Sequence, residues 1–244
     1  NKITYLQDEK KTTVMDGHGG YMNGSRYYGE DLPINTWYMK RFAGLSEDGL
    51  SLWYYTDKET NEEKTTTTYS TGDFYLCGDP NPDLYGGFGT SITFHGFDLS
   101  TQFSYLVGGL TYDYGYAGMM GNPTATSVGN RWHKDVLKAW SPENPSSTIP
   151  RWHFNDLNTT GSSDRFLIDG SYLNLQNIQV GYTLPDSWTS HLKIKNLRLY
   201  FVCDNVYYWS KRKGLDPRRS ISGVGTSGKI APFRTYSGGI SLQF

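Results

Sequence analysis

Long apolar runs are missing from this sequence. No stretch approaches the roughly 20 apolar residues that a spanning helix needs, so any crossing of a membrane has to be made with strands. Cysteine is scarce: Cys77 and Cys203 are the two among 244 residues, which rules out a disulfide framework. Cys203 falls in a strand pattern and Cys77 in a loop, so a bond between them is not expected. An excess of either charge is also missing, with 23 Lys and Arg against 24 Asp and Glu. The balance leaves no basic footprint for nucleic acid and no acidic tail. The five histidines, His18, His95, His133, His153 and His191, lack the spacing of metal ligands. No serine or cysteine sits in a recognisable nucleophile setting. His133-Lys134-Asp135 is contiguous on an expected helix and does not converge. Gly86-Gly87-Phe88-Gly89 is followed by neither a lysine nor a helix and is no phosphate loop. Asp79 and Asp83 belong to turn chemistry, without the ligand density of a calcium loop. The expectation is a protein that is not an enzyme and takes no metal or cofactor.

What is plentiful is tyrosine (20) and glycine (28), a composition that suits interfacial girdles and long loops better than a compact soluble core. The residues Leu84 to Val107 read as two strands joined at His95-Gly96. Phe88, Thr90, Ile92 and Phe94 share one face of the first; Phe97, Leu99, Thr101, Phe103, Tyr105 and Val107 share one face of the second. A two-residue turn pairs Phe94 with Phe97 and puts both apolar faces on the same side, and Gly96 supplies the positive φ such turns favour. The opposite face, with Gly87, Gly89, Ser91, Asp98, Ser100, Gln102 and Ser104, is small and polar. One apolar and one wet wall is the pattern of a membrane barrel strand. On this hairpin alone a soluble antiparallel sheet, apolar face inward, is the simpler reading.

Further along, Tyr172 to Leu184 alternates with Ile178, Val180, Tyr182 and Leu184 on one side. Leu173 and Leu175 fall on the other, so a bulge or a buried contact is expected near Gln176. Leu197 to Asp204 and Thr235 to Phe244 alternate again, the latter through Tyr236, Ile240, Leu242 and Phe244. Five spanning strands are therefore expected: Tyr85 to Phe94, Phe97 to Val107 and these three. Phe88, Ile92, Phe94, Leu99, Phe103, Val180, Leu199 and Leu242 are expected to face lipid. Residues 1 to 7 read as the end of a sixth strand, 8 to 33 as a polar loop, and Asn35 to Ala43 with Leu50 to Thr56 as a second hairpin. Thr56 to Gly72, with four consecutive threonines, reads as solvated low-complexity sequence. A loop of roughly sixty residues follows Val107, longer than connections usually run. Within it Asn130 to Trp140 reads as a helix capped by Asn130, with Trp132, Val136 and Trp140 on one face. A basic loop runs from Lys211 to Arg219. Short and long connections alternate, as in outer-membrane barrels.

A terminal strand of alternating residues that ends on an aromatic, Phe244, looks like the barrel signature read during assembly. The sequence also resembles the SusC/RagA-type TonB-dependent transporters of the Bacteroidetes outer membrane. The matching stretches are Gly78-Asp79-Pro80-Asn81-Pro82-Asp83 with LYGGFGTS (84–91), Gly96-Phe97-Asp98-Leu99-Ser100, FLIDGSYLNLQNIQVGYTLP (166–185), NLRLYFVCDNVYYWSKRKGLDP (196–217) and the closing GGISLQF. Residues 1 to 77 match loosely, around PINTWYMKRFAG (33–44). The resemblance implies an all-β fold: part of a large transmembrane antiparallel β-barrel with long extracellular loops. Residues 1–83 would be a partial strand, outer loops and a hairpin, and 84–244 the last spanning strands and loops. It further implies an N-terminal plug, a box that binds TonB, a SusD-like surface lipoprotein as lid, and import of oligosaccharides or peptides. The plug, the box and the remaining barrel strands would lie in polypeptide outside this chain, since five or six strands are fewer than the eight of the smallest bacterial barrels. Two rivals stand beside this reading, a passive outer-membrane porin and a soluble β-sandwich adhesin or lectin that binds glycans. The outer-loop tryptophans Trp37, Trp53, Trp132 and Trp152 are the candidate substrate contacts, since aromatic faces suit apolar sugar faces; packing between loops is their plainer role. The basic loop is either solvated or a contact for lipopolysaccharide or the lid.

Overall fold

A computed structural model describes residues 1–124, 129, 131–156, 161–216, 218, 222–224 and 232–244. The chain forms two compact units, and each is built from interleaved segments.

The first unit takes the described parts of 1–81, 109–169 and 219–228. It holds the strands β1 (Thr13–Met15), β2 (His18–Asn23), β3 (Arg26–Gly29), β4 (Thr36–Lys40), β5 (Phe42–Leu45), β6 (Ser51–Thr56), β7 (Glu63–Thr66) and β8 (Phe74–Leu76). β1-β2-β3-β4-β8 make one sheet and β5-β6-β7 another. The stretch 8 to 33 is thus not the polar loop expected. Gly20 faces Gly29 and Tyr21 faces Tyr28 across β2 and β3, and the two rings stack at 5.3 Å, so the pairing rests on small and aromatic partners rather than on an apolar face. Residues 1 to 7 are not the end of a spanning strand either. Lys2 bridges to Pro33, and Ile3 N–H donates to the Leu32 carbonyl. The expected hairpin 35 to 56 divides between the sheets: β4 pairs with β3 and β8, and β5 pairs with β6. The threonine-rich stretch supplies β7, which pairs with β6.

The long excursion after β9 (Leu84–Phe94) and β10 (Phe97–Val107) joins this unit through β11 (Leu110–Tyr112), α1 (Tyr114–Met119) and β12 (Leu167–Asp169). The helix expected over 130–140 is a single 3-10 turn, Lys134–Lys138, in which the Asp135 N–H donates to His133 Nδ1. Asn130, its expected cap, lies outside the described residues. Trp140 instead packs over Gly49, where a Cβ would collide with its ring and φ is +73°. The core of the unit is Trp37, Met39, Tyr112, Met120 and Phe166.

The second unit is one antiparallel sheet in the order β15-β14-β13-β10-β9, with β13 (Tyr172–Thr183), β14 (Asn196–Ser210) and β15 (Thr235–Gln243). His95 and Gly96, with φ of 47° and 85°, close the β9-β10 turn with two positive-φ residues, as a type I′ turn requires. The register shifts on both sides of Gln176. That bulge returns Leu173 and Leu175 to the face of Ile178, Val180 and Tyr182, so the apparent change of face in the sequence is a one-residue insertion. β14 runs six residues past the expected Asp204, with its own irregularity at Asn205 (φ 52°). Cys77 and Cys203 are free thiols.

Candidate functional site

Register turns the second unit into two chemically different walls. Phe94, Phe97, Tyr182, Leu199 and Ile240 stand in one cross-strand row, and Ile92, Leu99, Val180 and Phe201 in the next. Above the bulge the same wall continues through Phe88, Phe103, Leu175 and Tyr207. Phe88 and Phe103 stack at 4.8 Å. All eight residues expected to face lipid lie on this wall. Seven of them are exposed, Phe94 at 69%, and Phe103 is half-covered by its stacked partner. Among the described residues no second layer covers these side chains.

The other wall is polar and internally paired. Asp98, Gly181, Tyr200 and Gly239 form a row. Arg198 reaches across β13 to Asp98 with two hydrogen bonds, Nε to Oδ1 at 2.9 Å and Nη2 to Oδ2 at 2.5 Å. Gly181 makes this possible, because a Cβ there would occupy the space of both charged groups. Tyr200 lies over Gly239 in the same row, filling the space a side chain would take. One row up but one, Asn177 donates to Asp204 Oδ1 at 2.7 Å. Arg218 donates to Asp216 through Nε and Nη2, both at 2.7 Å, and to Asn174 Oδ1 at 2.7 Å. The basic loop is therefore only partly solvated. Lys211 and Lys213 are exposed, while Arg218 folds back onto the polar wall; Pro217 and Arg219 lie outside the described residues.

No family model matches the chain. A TonB-dependent receptor of Formosa agariphila, P3, is 29% identical over 235 residues, which is 92% of this chain and 22% of the relative. The TonB-dependent receptor SusC of Bacteroides thetaiotaomicron is 27% identical over 182 residues, 72% of this chain and 17% of the relative. Among solved structures, the RagAB peptide transporter superimposes with a TM-score of 0.75 at 25% identity, over 91% of this chain and 24% of that one. The RagAB peptide importer in its open-open state gives 0.76 over the whole chain.

This is SusC/RagA-like transporter barrel sequence. It lies in the outer membrane, and it spans about a quarter of the length of those relatives or less. In that setting the exposed apolar wall of the SusC/RagA-like sheet is the lipid-facing side and the paired polar wall the hydrated interior, the alternation that membrane barrels require.

The four tryptophans expected to touch substrate separate into two pairs. Trp37 and Trp53 have 0% exposure. Trp37 donates its indole N–H to the Leu110 carbonyl at 3.2 Å and packs at a tilt against Tyr112; Trp53 meets Phe42 and Tyr69 edge-on. Both are corrected to core residues, because neither leaves a ring face for a ligand. Trp132 and Trp152 pack edge-to-face at 5.5 Å, and Trp152 is 39% exposed. Sequence spacing could not separate the pairs, since all four sit in aromatic-rich segments, and two of the rings that cover the first pair, Tyr112 and Tyr69, come from segments that read as loop. Phe244 is exposed at the end of the apolar wall.

Proposed function

We propose that this chain supplies the last spanning strands and the outer loops of an energised outer-membrane importer. The whole protein would take up oligosaccharides or peptides, beneath a SusD-like lipoprotein lid and with TonB engaged through polypeptide outside this chain. The relatives are named as receptors and transporters, which supports import over catalysis. The observation that carries the reading is the five-stranded sheet with one uncovered apolar wall and one charged, hydrogen-bonded wall. A β-sandwich lectin would pack the apolar wall against a second sheet. A passive porin shares the wall but has no need of the long, folded loop unit. The sheet's two outer strands, β9 and β15, each have one neighbour among the described residues; an open edge in lipid costs several kcal/mol per unpaired backbone group, so remaining barrel strands complete it. Trp132 and Trp152 are the proposed contacts for ligand, Lys211 and Lys213 for the phosphates of lipopolysaccharide, and Phe244 for assembly. The test is uptake in cells lacking the full-length transporter, complemented with or without TonB. Uptake of a radiolabelled oligosaccharide or peptide pool that requires both supports the reading. Uptake that proceeds equally without TonB would replace it with the passive porin.

A further inference from the structure

In the loop-rich unit, the 3-10 turn Asp164–Phe166 places Arg165 between two aromatic rings. Its guanidinium carbon lies 5.4 Å from the Phe42 ring centroid and 5.0 Å from that of Phe166. The geometry is fixed from both sides. Asp164 Oδ1 accepts the Phe42 backbone N–H at 2.8 Å, Lys40 bridges to Ser163, and Phe166 is buried in the core. Burial strips water from the guanidinium and lowers its pKa to about 10, which leaves it charged at neutral pH.

What distinguishes Arg165 is that its donors are unspent. Arg26 has a pKa lowered equally by burial, but it donates to the carbonyls of Asn35 and Ser222. Arg41 pairs with Glu63, Arg151 with Asp156, Arg198 with Asp98 and Arg218 with Asp216. Arg165 is half-buried, and among the described residues it has neither an ion pair nor a side-chain hydrogen bond. Asp164 does not neutralise it, because that carboxyl serves the Phe42 N–H and feels Arg41. A guanidinium carries five N–H donors in a planar fork that matches a carboxylate, and one held by stacking alone leaves that fork open. Cations left dry and unpaired are costly, and a bound anion relieves the cost.

We propose that Arg165, clamped by Phe42 and Phe166, is a receptor for a carboxylate carried by the imported ligand, such as a peptide terminus or a uronic acid. The proposal rests on the import reading for where that ligand goes, but its binding test needs no transport.

The full-length transporter in outer-membrane vesicles is treated with phenylglyoxal, and modification of each arginine is followed by mass spectrometry. Arg165 is expected to react at least 10-fold faster than Arg26. N-acetyl-triglycine should slow Arg165 at least fivefold, and its C-terminal amide should not. Arg165 reacting as slowly as Arg26 would mean that a carboxylate elsewhere in the transporter already fills the fork, and would overturn the proposal. Equal protection by acid and amide would overturn it as well. As a second measurement, Arg165→Gln should remove the acid-over-amide preference in binding, and Arg165→Lys should keep part of it. Loss of TonB-dependent uptake with the protection intact would count against the import reading alone.

Discussion

In the loop-rich unit Trp37 and Trp53 have no exposed surface, whereas in the sheet Phe94 and Ile240 are about two-thirds exposed. The two units use similar aromatic and aliphatic side chains in opposite senses. The loop unit buries them in a small core and closes it with capped polar groups, for example Lys40, whose ammonium donates to the carbonyls of Tyr69, Ser70 and Gly72. The sheet turns them outward and keeps its charges paired on the other wall. Burial is a response to the solvent each unit meets. Water makes apolar exposure costly; the hydrocarbon that meets the sheet's apolar wall makes unpaired polar groups costly there instead.

The largest effect should come from breaking the loop core. Trp37→Ala removes the central ring of the cluster with Met39, Tyr112, Met120 and Phe166, along with its hydrogen bond to Leu110. Truncation of a large buried aromatic costs about 3–5 kcal/mol. In outer-membrane vesicles the loop unit should become sensitive to external protease while the barrel keeps its heat-modifiable migration on gels. Loss of the barrel together with the loops would show that the two units are not separable in this way.

The next effect sharpens the contrast between walls. Val180 and Gln179 are neighbours on β13, facing opposite sides. Val180→Arg should cost about 2–4 kcal/mol if that row lies near the bilayer midplane. Gln179→Arg, on the hydrated wall, should cost far less. Urea-dependent folding of the full-length transporter into liposomes reads the difference. Equal costs at both positions would contradict the assignment of faces.

A smaller effect tests how the polar wall is assembled. Gly181→Ala places a Cβ where the Asp98 carboxylate and Arg198 guanidinium meet, and overpacking of this kind costs about 1–3 kcal/mol. In a background of Asp98→Ala with Arg198→Ala the same change should be nearly neutral. An undiminished cost in that background would place the strain in the backbone rather than in the ion pair.

These contrasts also mark what could be read in the sequence. The five spanning strands were legible, because period-2 alternation records which wall each residue joins, and even the bulge at Gln176 left its trace as a switch of face. The loop unit was far less legible. Gly20 opposite Gly29, and Tyr21 stacked on Tyr28, stabilise strands without apolar alternation, so 8 to 33 read as loop. Trp132, Val136 and Trp140 have helical spacing but serve separate contacts: Trp132 meets Trp152, Val136 the core and Trp140 the backbone at Gly49. Arg165 was invisible, since what sets it apart is that, among the described residues, no ion-pair or side-chain hydrogen-bond partner meets its guanidinium.

The smallest expected effect is electrostatic and belongs to the loop unit. The β6-β7 turn is held by Asp57, whose Oδ2 accepts from Lys64 at 2.5 Å and whose Oδ1 accepts from the backbone N–H of Glu59 at 2.9 Å. The Lys64 hydrogen bond, then the backbone N–H groups of Glu59 and Thr60, hold the Asp57 carboxyl below its ordinary value, and Asp57 raises Lys64 in return. A carboxylate whose pKa is lower folded than unfolded adds stability that is fully present above its unfolded pKa, about 4, and is lost as pH falls through the folded value. The turn should therefore be pH-independent from neutral down to about pH 5 and loosen below about pH 4. The lipid-facing wall has no carboxylate in its rows and should not respond. Hydrogen exchange of residues 57–62 against that of β13, followed from pH 6 to pH 3, separates the two. Asp57→Asn should leave the turn looser at every pH and abolish its acid response; a turn that loosens with acid as steeply in that variant would assign the effect to another group.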